Sequence, residues 1–310
     1  MLAAAVSTEA RTAATLFTLT LILGVSLGAA TKTSGDLSGT WAVASNYIGW
    51  TYFAAWSLSF WPQVLQNAQR GRVDGLSFDF LALNLLGFSC YSAFNCALYY
   101  SPVVRAQYVA HYGKKPGVAS NDVFFSLHAV FATLVSIVQC AVLPRGEGQR
   151  VSRLGAAVLA SLVSAVVVYA AVVAAAAGAA DAGAGGRATS WLAFLTFVSY
   201  VKLSISLMKY IPQAVLNARN KSTAGWSIHN IMLDFTGGAL SVLQNLGDAS
   251  QIGWSAVIGD PVKFGLGFVS MVFDAVFFTQ HYCLYAKRAE QMSDVDSDGN
   301  ALLFADGDER

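Results

Sequence analysis

Three ionisable residues stand deep inside apolar stretches of this chain: Lys202, Asp234 and Asp274. A charge at the centre of a membrane-spanning helix costs about 2.5–3.5 kcal/mol on insertion scales, so it is kept where it meets a partner or a wet cavity. Helical spacing sorts the polar residues around them into faces. Asn84, Phe88, Tyr91 and Asn95 form one stripe; Lys202, Ser206, Lys209, Gln213 and Asn217 form a second; Asn230, Asp234, Gly237 and Ser241 form a third. Hydrogen bonds between helices would account for single members such as Asn95 or Ser241. Three facing stripes, one with a cation and one with a carboxylate, read instead as the lining of a cavity for a solute that carries both signs of charge. Asp122 opens another apolar run, where an acid satisfying free helix amides and an acid exchanging protons are both open readings. Asp79 and His229, near the starts of two runs, read as capping or interfacial groups.

Such faces need helices that cross a bilayer, each about 20 mostly apolar residues long. Seven stretches meet that length, roughly 42–61, 78–99, 123–143, 154–180, 191–211, 228–246 and 264–285. An earlier run, 12–30, follows Arg11 and ends in small residues, as a cleaved signal peptide or an uncleaved signal anchor would. The composition agrees with an integral membrane protein: 12% of residues are charged and 55% are apolar, against about 25% charged in ordinary globular chains. A net charge of +1 excludes an electrostatic nucleic-acid footprint. The four cysteines, all inside apolar runs without metal-ligand spacing, read as small buried hydrophobes. With no nucleophile–base pair and no metal cluster, the chain reads as a non-enzyme without a bound cofactor. Placing the N-terminus of the first core helix in a lumen leaves nine Lys and Arg in cytoplasmic regions against six in lumenal ones, the bias expected of that topology.

The chain repeats itself at an offset of 150 residues. Phe60-Trp61-Pro62-Gln63 through Asn67-Ala68 returns as Tyr210-Ile211-Pro212-Gln213 through Asn217-Ala218, and the register continues through Gly75 and Gly225, Ser77 and Ser227, Leu83 and Leu233, and Gly87 and Gly237. Eight identities fall in 28 positions. A three-helix unit repeated in parallel needs one inverting helix between its copies, and the Ala/Val-rich fourth span supplies it. The expected fold is all-α: seven transmembrane helices as two parallel three-helix bundles joined by a linker helix, three plus one plus three. The segments are 1–30, signal peptide or anchor; 31–45, a short lumenal stretch; 46–145, the first bundle; 146–185, the linker; 186–288, the second bundle; and 289–310, an acidic tail holding seven of the 18 acids. Proline removes an amide donor and crowds the preceding turn. The paired Pro62-Gln63 and Pro212-Gln213 therefore read as hinges, with a simple span end as the alternative. Asp234 aligns with Asn84, of nearly the same shape but unable to ionise, which points to a role for the Asp234 proton.

At these residues the sequence resembles the PQ-loop family, and within it the cystinosin branch. The resemblance rests on Trp56-Ser57-Leu58-Ser59-Phe60-Trp61-Pro62-Gln63, Gly75-Leu76-Ser77-Phe78-Asp79-Phe80, Asn121-Asp122-Val123, Lys221-Ser222-Thr223, Gly225-Trp226-Ser227-Ile228, Leu233-Asp234-Phe235-Thr236-Gly237-Gly238 and Phe273-Asp274, and it covers about residues 44–288. It implies a proton-coupled symporter exporting L-cystine from a lysosome or vacuole, with protons as the coupling ion. It further implies substrate contacts at Trp56, Phe60, Asn84, Phe88, Tyr91, Lys202, Gln213, Asn217, Asn230 and Asp234, and proton-linked roles for Asp122, Asp234 and Asp274. The short lumenal end looks closer to plant or algal members, and the sequon at Asn220 falls on a cytoplasmic loop. In the tail, Asp298 with Leu302 and Leu303 fits an acidic dileucine sorting signal that adaptor proteins read. Rival readings are a PQ-loop transporter of another amino acid or a sugar, and a seven-helix sorting receptor that moves no solute.

Overall fold

The computed structural model of the protein describes residues 2–33, 37–113, 116, 118, 120–179, 189–252 and 261–285. Most of those residues are helical, and no strand is among them. The helices are α1 (Leu2–Ala30), α2 (Gly39–Leu58), α3 (Trp61–Arg70), α4 (Phe78–Tyr100), α5 (Pro102–Tyr112), α6 (Ser120–Val142), α7 (Arg153–Ala179), α8 (Trp191–Met208), α9 (Tyr210–Asn220), α10 (Ile228–Ile252) and α11 (Pro261–Phe278), the last running into a π-helical turn, Thr279–Leu284.

Local chemistry sets the boundaries. Ser77 and Ser190 cap α4 and α8 by accepting from the amides of Phe80 and Ala193 at 3.3 and 3.1 Å. Gly71 closes α3 in the left-handed conformation (φ 62°), and its repeat equivalent Lys221 closes α9 in the same region (φ 45°). The chain breaks at Ser59–Phe60 and again at Lys209, so each Pro-Gln pair lies in the first turn of a new helix. The backbone of Ser59, Phe60 and Lys209 stays in the right-handed helical region, so helical hydrogen bonding lapses just ahead of each proline, which supplies no amide.

Five stretches among the described residues are long and apolar enough to cross a membrane, within α1, α4, α6, α7 and α8–α9. Four coincide with spans read from the sequence, and the fifth is α1, read there as signal peptide or anchor. The other expected spans, α2, α10 and α11, are helices of 20, 25 and 18 residues. α1 lies along α2, where Asn46 Nδ2 donates to the Gly28 carbonyl at 2.8 Å. Packing follows the duplication: α2 packs on α10 as α8 packs on α4, and α4 packs on α6 as α10 packs on α11. α7 buries only Val173 among its described side chains, as suits an Ala/Val helix facing lipid. The largest core cluster gathers Val73, Leu76, Phe80, Tyr210, Trp226, Ile231 and Phe277 around the Pro-Gln end of the bundle. Cys90 and Cys140 are buried as expected, whereas Cys283 is exposed.

Candidate functional site

The repeat-related helices enclose a cavity of about 180 Å³. Trp56 and Phe60 from the α2 side, Phe88 and Tyr91 from α4, and Phe125 from α6 form an aromatic wall. Lys202 and Lys209 enter from α8 and its C-terminal corner, Asn84 from α4, and Asn230 and Asp234 from α10. Lys202 Nζ donates to Ser206 Oγ at 2.9 Å, one turn along α8, and lies 4.5 Å from the Phe88 ring centroid, a cation–π distance. Lys209 Nζ lies 4.5 Å from the Tyr210 ring and 5.6 Å from Phe88. Neither lysine forms an ion pair among the described residues. The opposite charges line one cavity, but the Asp234 carboxylate is occupied elsewhere. Tyr210 Oη donates to its Oδ2 at 2.6 Å and Ser270 Oγ to the same oxygen at 3.0 Å. Trp56 Nε1 donates to the Asp234 carbonyl at 3.2 Å, and its ring lies against Gly237, where a Cβ would come within 2.6 Å of the indole nitrogen. Asn84 Oδ1 is buried without a donor, the condition of an acceptor that a solute satisfies.

The Pro-Gln end is closed by reciprocal bonds between the repeats. Gln63 Nε2 donates to the Gly225 carbonyl at 2.9 Å, and Gln63 Oε1 accepts from the Ser227 amide at 2.8 Å. Gln213 repeats the pattern on the other loop, donating to Gly75 O at 3.0 Å and accepting from Ser77 N at 2.8 Å. Each glutamine also donates to the asparagine one turn on, Asn67 or Asn217, at 2.9 and 2.8 Å. Those asparagines in turn donate to Gln139 and Gln280 at 2.9 and 3.0 Å. At the centre the two loops touch through Gly75 and Gly225, both at positive φ (85° and 87°). A Cβ on either would clash with the carbonyl oxygen of Ala224 or Asp74 across the contact. At the other end of the bundle Trp41 Nε1 donates to Asp248 Oδ1 and Gln244 Nε2 to Ser45 O, both at 2.8 Å, tying α2 to α10.

Of the residues singled out in the sequence, Trp56, Phe60, Asn84, Phe88, Tyr91, Lys202, Asn230 and Asp234 line the cavity together. Gln213 and Asn217 do not: the hydrogen bonds of the interrepeat clamp occupy both side chains. Asn95 is buried at the far end of α4 and donates to the Asp122 carbonyl at 3.5 Å, joining α4 to α6 rather than facing solute. Asp122 is half-buried at the start of α6. Asp274 is fully buried on α11, one turn beyond Ser270, and the polar groups that bear on it are Asp234, Lys209 and the Ser270 hydroxyl. Asp79 accepts from the Ser152 amide at 2.7 Å and so caps α7, not its own helix. Asp298, Leu302 and Leu303 lie outside the described residues. Sequence reasoning put Lys209 on a cavity-lining stripe without a specific contact, and gave no role to Tyr210 or Ser270. The change from Phe60 to Tyr210 between the repeats was the available signal for the hydroxyl.

Two symmetry-related Pro-Gln breaks, each glutamine clasping the other repeat below one shared cavity, define a PQ-loop protein, and the chain is a multi-pass membrane protein. The family model for the PQ loop repeat matches residues 44–104 and 194–254. Cystinosin of Bos taurus is 50% identical over 252 residues, covering 80% of this chain and 65% of that protein, so the chain spans just under two thirds of the bovine relative's length. The Cystinosin homolog of Arabidopsis thaliana is 38% identical over 266 residues, covering 84% of this chain and 94% of the plant protein. The Cystine transporter of Saccharomyces cerevisiae is 24% identical over 254 residues, with 79% and 95% covered. Identity is thus higher to the bovine relative, while overall length is nearer the plant one. The chain belongs to the cystinosin family.

Proposed function

We propose that this protein is a symporter that carries L-cystine with a proton from an acidic organelle lumen to the cytosol by alternating access. Its core is read as seven spans: α2, α4 and α6 with the first Pro-Gln loop, α7 as linker, and α8, α10 and α11 with the second. The observation that carries this reading is one aromatic-walled cavity with two cations on one side and a held carboxylate on the other. Cystine has two carboxylates and two ammonium groups, and its disulfide is apolar. Lys202 and Lys209 suit the carboxylates; Asp234, Asn84 and Asn230 suit an ammonium; Phe60 and Tyr91 suit the disulfide. The similarity to the yeast Cystine transporter supports the same reading. In this cycle substrate and proton enter from the lumen, the neutralised carboxyl permits the bundles to rock, and the Pro-Gln clamp opens to the cytosol with Pro62, Gln63, Pro212 and Gln213 at its hinges. A gradient of two pH units contributes about 2.7 kcal/mol per proton, or about a hundredfold accumulation. The direct test is uptake of radiolabelled cystine by cells displaying the protein at their surface, with the outside acidified. Cystine uptake driven by outside acid is expected; uptake indifferent to pH, or none, overturns the reading.

Lys202→Ala is expected to lower uptake at least tenfold while leaving folded protein abundant. Its ammonium is held by a serine and a ring, so removing it strands no buried carboxylate. Loss of folded protein in place of loss of uptake would assign Lys202 to structure. For localisation we propose the lysosomal or vacuolar membrane, with a lumenal N-terminus after processing and a cytoplasmic tail. Leu302→Ala combined with Leu303→Ala should move the protein toward the cell surface, as seen by fluorescence of a tagged chain; an unmoved protein would place the sorting signal elsewhere.

A further inference from the structure

The framework of the site is duplicated, but its ionisable part is not. α2, α3 and α4 map onto α8, α9 and α10 by the 150-residue offset. Hydrogen bonds give the register of the remaining pair. Gln139 accepts from Asn67 and donates to the Val64 carbonyl, and Gln280 accepts from Asn217 and donates to the Ala214 carbonyl, the second bond being 2.9 Å in each copy. α6 therefore maps onto α11 by the spacing of those two glutamines, 141 residues. In these registers Asp234 stands where the first repeat has Asn84, Tyr210 where it has Phe60, and Ser270 where it has Ala129. The acid and both hydroxyls that hold it are missing together from the first repeat, while the prolines, glutamines, asparagines and loop glycines are kept in both.

We propose that Tyr210 and Ser270 are positioning residues for proton exchange at Asp234, an inference that rests on the symport reading above. Both hydroxyls converge on Oδ2, at 2.6 and 3.0 Å, and stand 3.3 Å from each other. Two donors on one oxygen fix the plane of the carboxylate. Oδ1 stays outside this network and is the oxygen that takes the proton. The other groups around Asp234 are the Trp56 indole from α2, Asn230 on its own helix, Lys202 and Lys209 from the α8 side, and Asp274 beside Ser270 on α11. Ser270 also bears on Asp274, whereas the Tyr210 hydroxyl bonds Asp234, so a like shift from both variants is the one that reports the hydroxyls on Asp234.

The test follows cystine uptake by surface-displayed protein across outside pH from about 5 to 8. Tyr210→Phe and Ser270→Ala install the first repeat's own residues, Phe60 and Ala129, and differ from the originals mainly by one oxygen atom. Loss of a donor to the anion lets it take a proton at higher pH. Each variant should therefore shift the pH of half-maximal uptake upward by about one unit, and Ser270→Thr, which keeps a hydroxyl, should restore the wild-type profile. If Tyr210→Phe does not accumulate as folded protein, Ser270→Ala against Ser270→Thr carries the test. Wild-type cystine uptake with an unshifted profile in folded variants overturns the positioning role alone. Absence of acid-driven uptake in the wild type overturns the symport reading and this inference with it.

Discussion

Asp234→Asn is expected to abolish pH-driven accumulation of cystine, together with the inward current that accompanies it. The substitution preserves shape and reproduces the residue at the matching position of the first repeat, Asn84. The amide oxygen can still accept from Tyr210 and Ser270, so the α10–α11 packing should survive. The variant cannot exchange a proton at this position. Cystine with no net charge plus one proton moves one positive charge per cycle, to which the membrane potential contributes about 2.3 kcal/mol per 100 mV. Whole-cell current and counterflow exchange separate the outcomes: exchange of labelled for unlabelled cystine should persist at reduced rate, while net uptake against a gradient falls to background. An Asp234→Asn protein that still accumulates cystine with undiminished current would move the coupled proton to Asp274 or Asp122.

Gly225→Ala should be nearly as damaging, although residue 225 touches no solute. Its φ of 87° lies where a side chain is strained by roughly 1–2 kcal/mol. The added Cβ also meets the Asp74 carbonyl oxygen, which is backbone and cannot swing away. The two loops would have to separate, loosening the glutamine bonds on both sides. Net uptake should fall at least tenfold, and thermal unfolding of the purified protein in detergent should come several degrees earlier. Gly75→Ala, its symmetry mate, should behave alike. Wild-type melting and transport in both variants would show that the loops need not touch.

The membrane class, the duplication and most cavity residues were legible in the sequence because they leave periodic signals. A lysine or aspartate in an apolar run announces itself, and Asn84, Phe88 and Tyr91 share a helical face. Gln213 and Asn217 follow Lys202 at helical spacing, but the clamp takes up their side chains, which spacing within one helix does not reveal. The role of the paired glutamines was invisible for a different reason. Their partners are main-chain atoms of Gly75, Ser77, Gly225 and Ser227, and a backbone carbonyl or amide leaves no mark in the residue alphabet. Asp79 likewise caps a helix 73 residues away, a pairing that local patterns do not encode.

Reciprocity in the glutamine clamp has a thermodynamic consequence. Neither loop can leave alone, since Gln63 holds the second loop while Gln213 holds the first. Withdrawing either segment breaks bonds at both. Freeing one glutamine breaks two of the four interrepeat hydrogen bonds, at roughly 1 kcal/mol each, yet the other two keep the loops together, so the loss brings no separation and such states stay thinly populated. The closure should thus behave as a single cooperative unit, all made or all broken. Such a latch resists leakage: a fluctuation that frees one glutamine gains little entropy and leaves the passage shut.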